Sequence, residues 1–505
     1  MKLAGTAAPS VSHRAARGAG WIIAWRIATR NIGLVSTLIL VRLLRPSDFG
    51  LVALATGFIS SVDALSAIGV QDALVRTPQL NRDLYDTGFG LSVIRGLFTA
   101  VLVAAIAWPV ATFFSDPRLT VVMLALSAGT LISAFENIGI VDFRRDLAFR
   151  KEFDMQLWSR VIGVAATITV AAIWRSYWAL VAGILVYRVV RLFQSYLMSA
   201  YRPRFTVRAW RQIIGFSLWT WAQAMLFQAR DRSDSIVIGR LLGTGQVGVF
   251  SVGLELGSLP TTELVEPLGR ALFPGFASLH NAAGDMGTLF LGAVGLGLMV
   301  ILPAGVGISM VADPMVRLSL GENWLAAVPV VQIMAIAGIA AIFTQTCANL
   351  LNAVGRPQVN FYVSVVSALV KLGALLLLIP PFGLAGAATA VLLACCADLG
   401  MLLWTTLPRV QVSLRQLAGI SIRPIIATAA MTVALRYLGM AWTPSTTGAD
   451  AADFATDAAV RSAIGAACYA VVLLGSWLAA GRPDGAERHV LTILGNIRAR
   501  ARRWL

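Results

Sequence analysis

Arginines stand in the middle of long apolar runs of this chain. Arg26 and Arg30 lie at i,i+4 beside Trp25, so on a helix they share one face. Arg95, Arg160, Arg188, Arg191, Arg230 and Arg232 interrupt later runs, as do Lys371 and the carboxylates Asp63, Asp231, Asp234, Glu255, Glu263, Glu266 and Asp398. An ionisable side chain inside an apolar span is costly and marks a functional candidate. Cations outnumber anions in the set. A guanidinium grips two oxygens at once and keeps its charge, which suits phosphate. The pattern therefore reads as a basic cavity for an anionic, phosphate-bearing ligand, with Arg26, Arg30 and Arg95 as leading contacts. Arg230 and Arg232 join them, with a second reading in which they pair with Asp231 and Asp234. Asn31, Gln223, Gln228, Gln345 and Asn349, together with Asn352, offer partners for sugar hydroxyls. Trp219 and Trp221 offer either a stacking face or ordinary packing. Glu255, with Asp231 and Asp234, is the candidate for ion coupling, because a carboxylate in a poorly solvated cavity holds its proton more tightly. Arg160, Arg188 and Arg191 are expected to snorkel to the nearby membrane surface.

The elements that carry these residues follow from hydropathy. Of 505 residues 57% are apolar and 13% charged, with mean hydropathy +0.76. That charged share is about half the usual globular value, too little to solvate a soluble surface. Runs of about 20 apolar residues, each long enough to cross a bilayer, fall at 21–41, 48–70, 84–108, 119–140, 155–174, 177–199, 212–235, 246–268, 288–311, 326–352, 358–379, 384–407, 421–441 and 460–480. The expectation is an all-α polytopic membrane protein of about fourteen spans, the seventh and eighth being the least apolar. The net charge of +16 lies mostly between the runs. Lys and Arg in alternate loops and the tails number about 24, against 6 in the opposite loops. This bias places both termini in the cytoplasm and makes nucleic-acid binding a needless reading of the charge. Cys347, Cys395, Cys396 and Cys468 sit in apolar runs at no metal spacing. Asp450, Asp453 and Asp457 read as a solvated outer loop, and no cofactor is expected.

Part of the chain repeats. Arg42, Leu43, Leu44 and Gly50 recur at an offset of 198 as Arg240, Leu241, Leu242 and Gly248. Pro109 before Asp116-Pro117 is echoed by Pro303 before Asp313-Pro314. The expected organisation is a cytoplasmic tail (1–20), a six-helix lobe (21–199), a cytoplasmic linker (200–211), and a second six-helix lobe (212–407). Two extra helices (421–480) and a basic cytoplasmic tail (481–505) complete it. The lobes would be a parallel repeat about the membrane normal, an arrangement typical of transporters with alternating access. An enzyme is not expected: the outer loops are short, and His13, His280 and His489 all fall on the cytoplasmic side.

Several segments resemble one family in its own order. They are Leu40-Val-Arg-Leu-Leu-Arg-Pro-Ser-Asp-Phe-Gly-Leu-Val-Ala-Leu54, Phe143-Arg-Arg-Asp-Leu-Ala-Phe-Arg150 and Asp234-Ser-Ile-Val-Ile-Gly-Arg-Leu-Leu-Gly243. Phe273-Pro-Gly-Phe-Ala-Ser-Leu279, Leu320-Gly-Glu-Asn-Trp324 and Ala353-Val-Gly-Arg-Pro357 follow. Over about residues 20–400 the chain resembles the Wzx-type polysaccharide flippases of the multidrug/oligosaccharidyl-lipid/polysaccharide exporter superfamily. The resemblance implies a two-lobed fold in the bacterial inner membrane. It also implies a substrate of oligosaccharide on undecaprenyl diphosphate, moved from the cytoplasmic to the periplasmic leaflet for lipopolysaccharide, capsule or exopolysaccharide synthesis. Membrane lipid, and the polysaccharide polymerase with its chain-length machinery, would be its partners. A lipid II flippase, a multidrug exporter and, further off, a polyprenol-linked polymerase or ligase are the alternatives.

Overall fold

A computed structural model describes residue 29 and residues 31–66, 69–77, 81–146, 148–213, 218–282, 284–444 and 451–481. Every regular element among them is helical. They divide into two compact units, Met1–Gly248 and Val249–Leu505.

The first unit holds α1 (Asn31–Leu43), α2 (Pro46–Leu65), α3 (Val70–Arg76), α4 (Arg82–Phe113), α5 (Arg118–Ala134), α6 (Val141–Arg145), α7 (Phe149–Trp174), α8 (Trp178–Met198), α9 (Trp210–Ile213) and α10 (Leu218–Leu242). Local chemistry starts the helices where the sequence turns polar. Pro46 occupies the first turn of α2, and the Asp48 carboxylate accepts from the Arg45 backbone N–H at 3.0 Å, meeting a donor the helix cannot satisfy itself. Asn81 caps α4 by accepting from the Leu84 N–H at 2.9 Å. Helix α2 is central, packing on α4, α5, α8 and α10, while α4 pairs with α5 and α7 with α8. Small residues bring α7 and α8 close: a Cβ on Gly183 would lie 1.6 Å from Thr167 Oγ1. Such contacts replace the hydrophobic drive that lipid does not supply between helices.

Helix α11 (Thr244–Gly257) begins at the end of the first unit and runs into the second. There follow α12 (Glu266–Asn281), α13 (Met286–Met310), α14 (Ala312–Ser319), α15 (Val328–Ala337), α16 (Ala341–Ala353), α17 (Pro357–Thr406), α18 (Leu414–Tyr437) and α19 (Ala451–Ala479). Phe276, Phe290, Ile301 and Leu350 are buried in the main core of this unit. Residues 357–406 are not one straight helix, which would run about 75 Å, over twice the bilayer core. Gly383 (φ 57, ψ −132) breaks α17 into two legs, a backbone conformation that glycine tolerates. Ser367 Oγ on one leg donates to Ala394 O on the other at 3.2 Å, so the legs fold back on each other. The break falls between the spans expected at 358–379 and 384–407.

Large apolar side chains are exposed on the helices as well as buried between them. Leu97, Val101 and Trp108 on α4 and Leu369 and Leu377 on α17 are examples. Apolar exposure on this scale is what a lipid solvent requires. Nine helices among the described residues are long and apolar enough to cross a membrane, or ten with the bent pair Arg118–Ala134 and Ile138–Arg145. One of the nine is the broken stretch Pro357–Val410. The chain is thus an all-α, multi-pass membrane protein. The expected seventh and eighth spans are not among the nine. Helix α10 carries Arg230, Asp231, Arg232, Asp234 and Arg240, and α11 stops at Gly257, before a π-helical turn at Thr261–Val265.

The stretch joining the two sequence repeats, 199–211, is strapped across the first unit. The buried Asp86 carboxylate on α4 accepts from the Tyr201 hydroxyl and from the Arg204 N–H, both at 2.7 Å. The Ala209 N–H donates to Thr87 Oγ1 at 3.2 Å, and Asn137 Nδ2 donates to Tyr201 O at 2.6 Å. Burial, and then the bond to Asp86, push the Tyr201 hydroxyl well above the ordinary phenol range, so it remains a donor at neutral pH.

Candidate functional site

Helix α2 separates two arginine positions. On one face Leu54, Gly57, Phe58 and Ser61 line a small cavity shared with Arg232, Ser235 and Ile236 of α10. Arg232 crosses at Gly57, its Cδ 3.5 Å from where a Cβ on Gly57 would stand. Its buried Nε has no hydrogen-bond partner among the described residues. The guanidinium therefore lies against α2, as a cavity-facing cation would.

Asp63 stands two residues beyond Ser61, about 200° further round the helix, and faces a different set. Arg95 Nη2 on α4 lies 2.6 Å from Asp63 Oδ1, and the two side chains remain 30% and 42% exposed. A pair open to that extent can exchange partners with an entering ligand. Arg188 on α8 donates from Nη1 to Thr130 Oγ1 of α5 at 2.8 Å and is attracted by both Asp63 and Glu136. One turn on, Arg191 Nε meets Glu136 Oε2 at 3.0 Å, and its Nη1 donates to the Tyr187 hydroxyl at 3.1 Å. Among the described residues, Arg95, Arg188 and Arg191 thus gather against two carboxylates, Asp63 and Glu136. The excess charge is positive, and its planar forks suit an anion with several oxygens. No group of three or more His, Cys, Asp or Glu among the described residues could hold a metal ion.

Several expectations are met differently. Arg188 and Arg191, expected to reach for the membrane surface, bond between helices to Thr130 and to Tyr187 and Glu136. Glu136 was not singled out from the sequence, although it lies inside the apolar run 119–140 where any carboxylate is a candidate. Of the other named residues in the first unit, Arg230 and Asp234 have interaction partners, Asp231 is exposed, and Gln228 presents a buried Nε2 with no hydrogen-bond partner among the described residues. Asn31 is exposed on α1 and also has a partner. Arg26, Arg30 and the side chains of Gln223, Trp219 and Trp221 lie outside the described residues. In the second unit, Asn349 Nδ2 donates to Gly269 O at 2.9 Å, tying α16 to α12, while Gln345 and Glu255 are exposed. Lys371 and Asp398 are buried on the two legs of α17.

The sequence profile described as "Polysaccharide biosynthesis protein" matches residues 39–329, more than half of the chain. The chain is 23% identical over 360 residues to the lipopolysaccharide biosynthesis protein WzxC of Escherichia coli (strain K12), covering 70% of this chain and 73% of that one. It is 24% identical over 365 residues to the succinoglycan biosynthesis transport protein ExoT of Rhizobium meliloti (strain 1021), covering 71% and 73%. Its fold is similar to that of the lipid II flippase MurJ in an inward closed conformation, with TM-score 0.73 and 12% identity over 91% of this chain and 100% of that one. An inward-facing multidrug resistance MATE family transporter of the MOP superfamily aligns with TM-score 0.57 and 16% identity, over 76% and 98%.

Proposed function

Because this chain belongs to the polysaccharide biosynthesis protein family, a family of membrane transporters and not of enzymes, we propose that it flips oligosaccharide repeat units linked to undecaprenyl diphosphate across the bacterial inner membrane. The observation that carries the reading is the arginine cluster of Arg95, Arg188 and Arg191 beside α2, where cations exceed carboxylates. A diphosphate carries charge that lipid cannot solvate, so its passage requires fixed cations at membrane depth. Arg95 is the first contact, being partly exposed and held by one carboxylate. Arg232 across α2, Arg230 beside it, and Arg26 and Arg30 before α1 extend the path. Asn31, Gln223, Gln228 and Gln345 serve the sugar hydroxyls. Asn349 serves less well, because its amide already donates to Gly269 O. A multidrug exporter for cations would need the opposite excess.

The finer architecture belongs to the same proposal: about fourteen spans, two six-helix lobes in parallel repeat, two further helices, and both termini cytoplasmic. One contact within the first unit supports the repeat. A Cβ on Gly50 would lie 1.7 Å from Thr244 O, and a Cβ on Gly248 would lie 2.0 Å from Pro46 O. At the offset of 198, Gly50 corresponds to Gly248 and Pro46 to Thr244. Residue i touches j′ while i′ touches j, the reciprocity of a twofold axis. Alternating access about such an axis would move the anion without a catalytic group.

The test is genetic and biochemical. In a strain lacking the gene, the wild-type protein should restore surface polysaccharide. Arg95→Ala, made at the same level in the membrane, should leave lipid-linked repeat units on the cytoplasmic leaflet. Full polymer output from Arg95→Ala would remove the cluster from the transport path.

A further inference from the structure

The strap at 199–211 carries Arg202, Arg204, Arg208 and Arg211 and no carboxylate. We propose that its outer edge is a docking surface for the headgroups of anionic membrane phospholipids. Two helix lengths set its depth. Helix α8 has 21 residues, about 31 Å of helix, so it crosses the roughly 30 Å hydrocarbon core and delivers the chain at Ser199 to the edge of that core. Helix α4 ends at Phe113, about 40 Å along the helix from Asp86 and about 35 Å from Gly90. Those lengths exceed the core and fall within the roughly 40–45 Å of a bilayer with its headgroups. Asp86, Thr87 and Gly90 hold the strap at that level, through the bonds from Tyr201, Arg204 and Ala209 and the close approach of Thr206 O to Gly90. The strap thus lies along the headgroup layer.

With its backbone held on α4, the strap leaves Arg204, Phe205, Val207, Arg208, Trp210 and Arg211 exposed. Basic and large apolar side chains are interleaved along this edge. Aromatic rings settle at headgroup level, and an arginine stem can lie on apolar surface while its guanidinium grips phosphate oxygens. The Arg211 guanidinium already lies 5.6 Å from the centre of the Trp210 ring. Nearby cations on other elements stand beside acids: Arg82 is 3.8 Å from Asp86, Arg144 is 2.9 Å from Glu152 and Arg150 is 3.9 Å from Asp154. Among the described residues no carboxylate side chain pairs with the guanidinium of Arg204, Arg208 or Arg211. Their charge is left for an anion from outside the chain, and a surface at this depth meets lipid before it meets a soluble partner.

The experiment follows hydrogen exchange of the strap in the full chain, in nanodiscs of phosphatidylcholine or of phosphatidylcholine mixed with phosphatidylglycerol. Wild type should exchange at least about fivefold more slowly in the mixed discs, the gain that one arginine makes at an anionic surface. High salt should erase the difference. The triple variant Arg204→Gln, Arg208→Gln, Arg211→Gln should exchange alike in both discs, at the rate of wild type in phosphatidylcholine. Lysine at the same three positions should keep most of the slowing. Equal exchange of wild type in the two discs would overturn the proposal, as would slowing that the glutamine variant retains. Slowing that requires added undecaprenyl diphosphate or a cytoplasmic protein fraction in place of phosphatidylglycerol would assign the edge to substrate or to a protein, and would overturn it too. Exchange of α4 in the same samples reports whether a variant has kept its fold; where the glutamine variant has not, the salt dependence of wild type decides. The transport reading stands through all these outcomes, since it rests on Arg95, Arg188 and Arg191.

Discussion

The sharpest prediction concerns Gly50→Ala. The added methyl would stand 1.7 Å from Thr244 O and 2.8 Å from Gly248 N, where ordinary contact begins at 3.4 Å. The helix crossing must therefore open by about 1.7 Å. The obstructing atoms are backbone, so no rotamer change relieves them, and the cost should reach the upper part of the overpacking range, about 3 kcal/mol. The same reasoning gives Gly248→Ala a similar cost, since its methyl would meet Pro46 O at 2.0 Å. The two glycines share one crossing, so a crossing opened by the first methyl already accommodates much of the second. The double variant should cost less than the sum of the singles by at least about 1 kcal/mol. Denaturant unfolding of the purified protein in mixed micelles measures all three, with surface polysaccharide as the functional readout. Additive costs, or a neutral single substitution, would refute the reciprocal contact and the twofold argument built on it.

Two further predictions concern the loops of the first unit. Arg118 holds the Asp116 carboxylate below the usual range through bonds of 2.8 and 2.9 Å, and Thr244 Oγ1 adds one at 3.1 Å. This depressed value contributes stability above the ordinary carboxylate range, and the contribution is lost as pH falls through the folded value. Asp116→Asn should thus lower the thermal midpoint at pH 7, and the gap from wild type should close in strong acid; a gap independent of pH would contradict the assignment. Gly90→Ala would bring a methyl within 2.2 Å of Thr206 O and lift the strap from α4. Trypsin should then cut at Arg204 or Arg208 several-fold faster than in wild type, and unchanged cleavage would count against the latch.

Much of the fold was legible from the chain. A membrane span needs only a long apolar run, a property of consecutive residues, so the broken helix at Gly383 fell where hydropathy dipped between 379 and 384. Helix α10 was harder, because Arg230, Asp231, Arg232, Asp234 and Arg240 interrupt its apolar residues within one segment. Arg95 could be named as a candidate from its place inside an apolar run. Asp63, also visible there, received no role, since nothing local ties it to Arg95 32 positions away.

The sequence by itself determined that the protein lives in a membrane, that cations outnumber carboxylates inside its apolar runs, and that a motif returns after 198 residues. These are composition, run length and spacing, all local quantities. Only the tertiary structure decided which partners the charged side chains meet: Asp63 with Arg95, Arg191 with Glu136, and Arg188 with the Thr130 hydroxyl. It also decided that the two copies of the repeated glycine touch reciprocally. Helical periodicity fixes which residues share a face, but which helix packs opposite that face depends on shape and on gaps as small as one missing methyl.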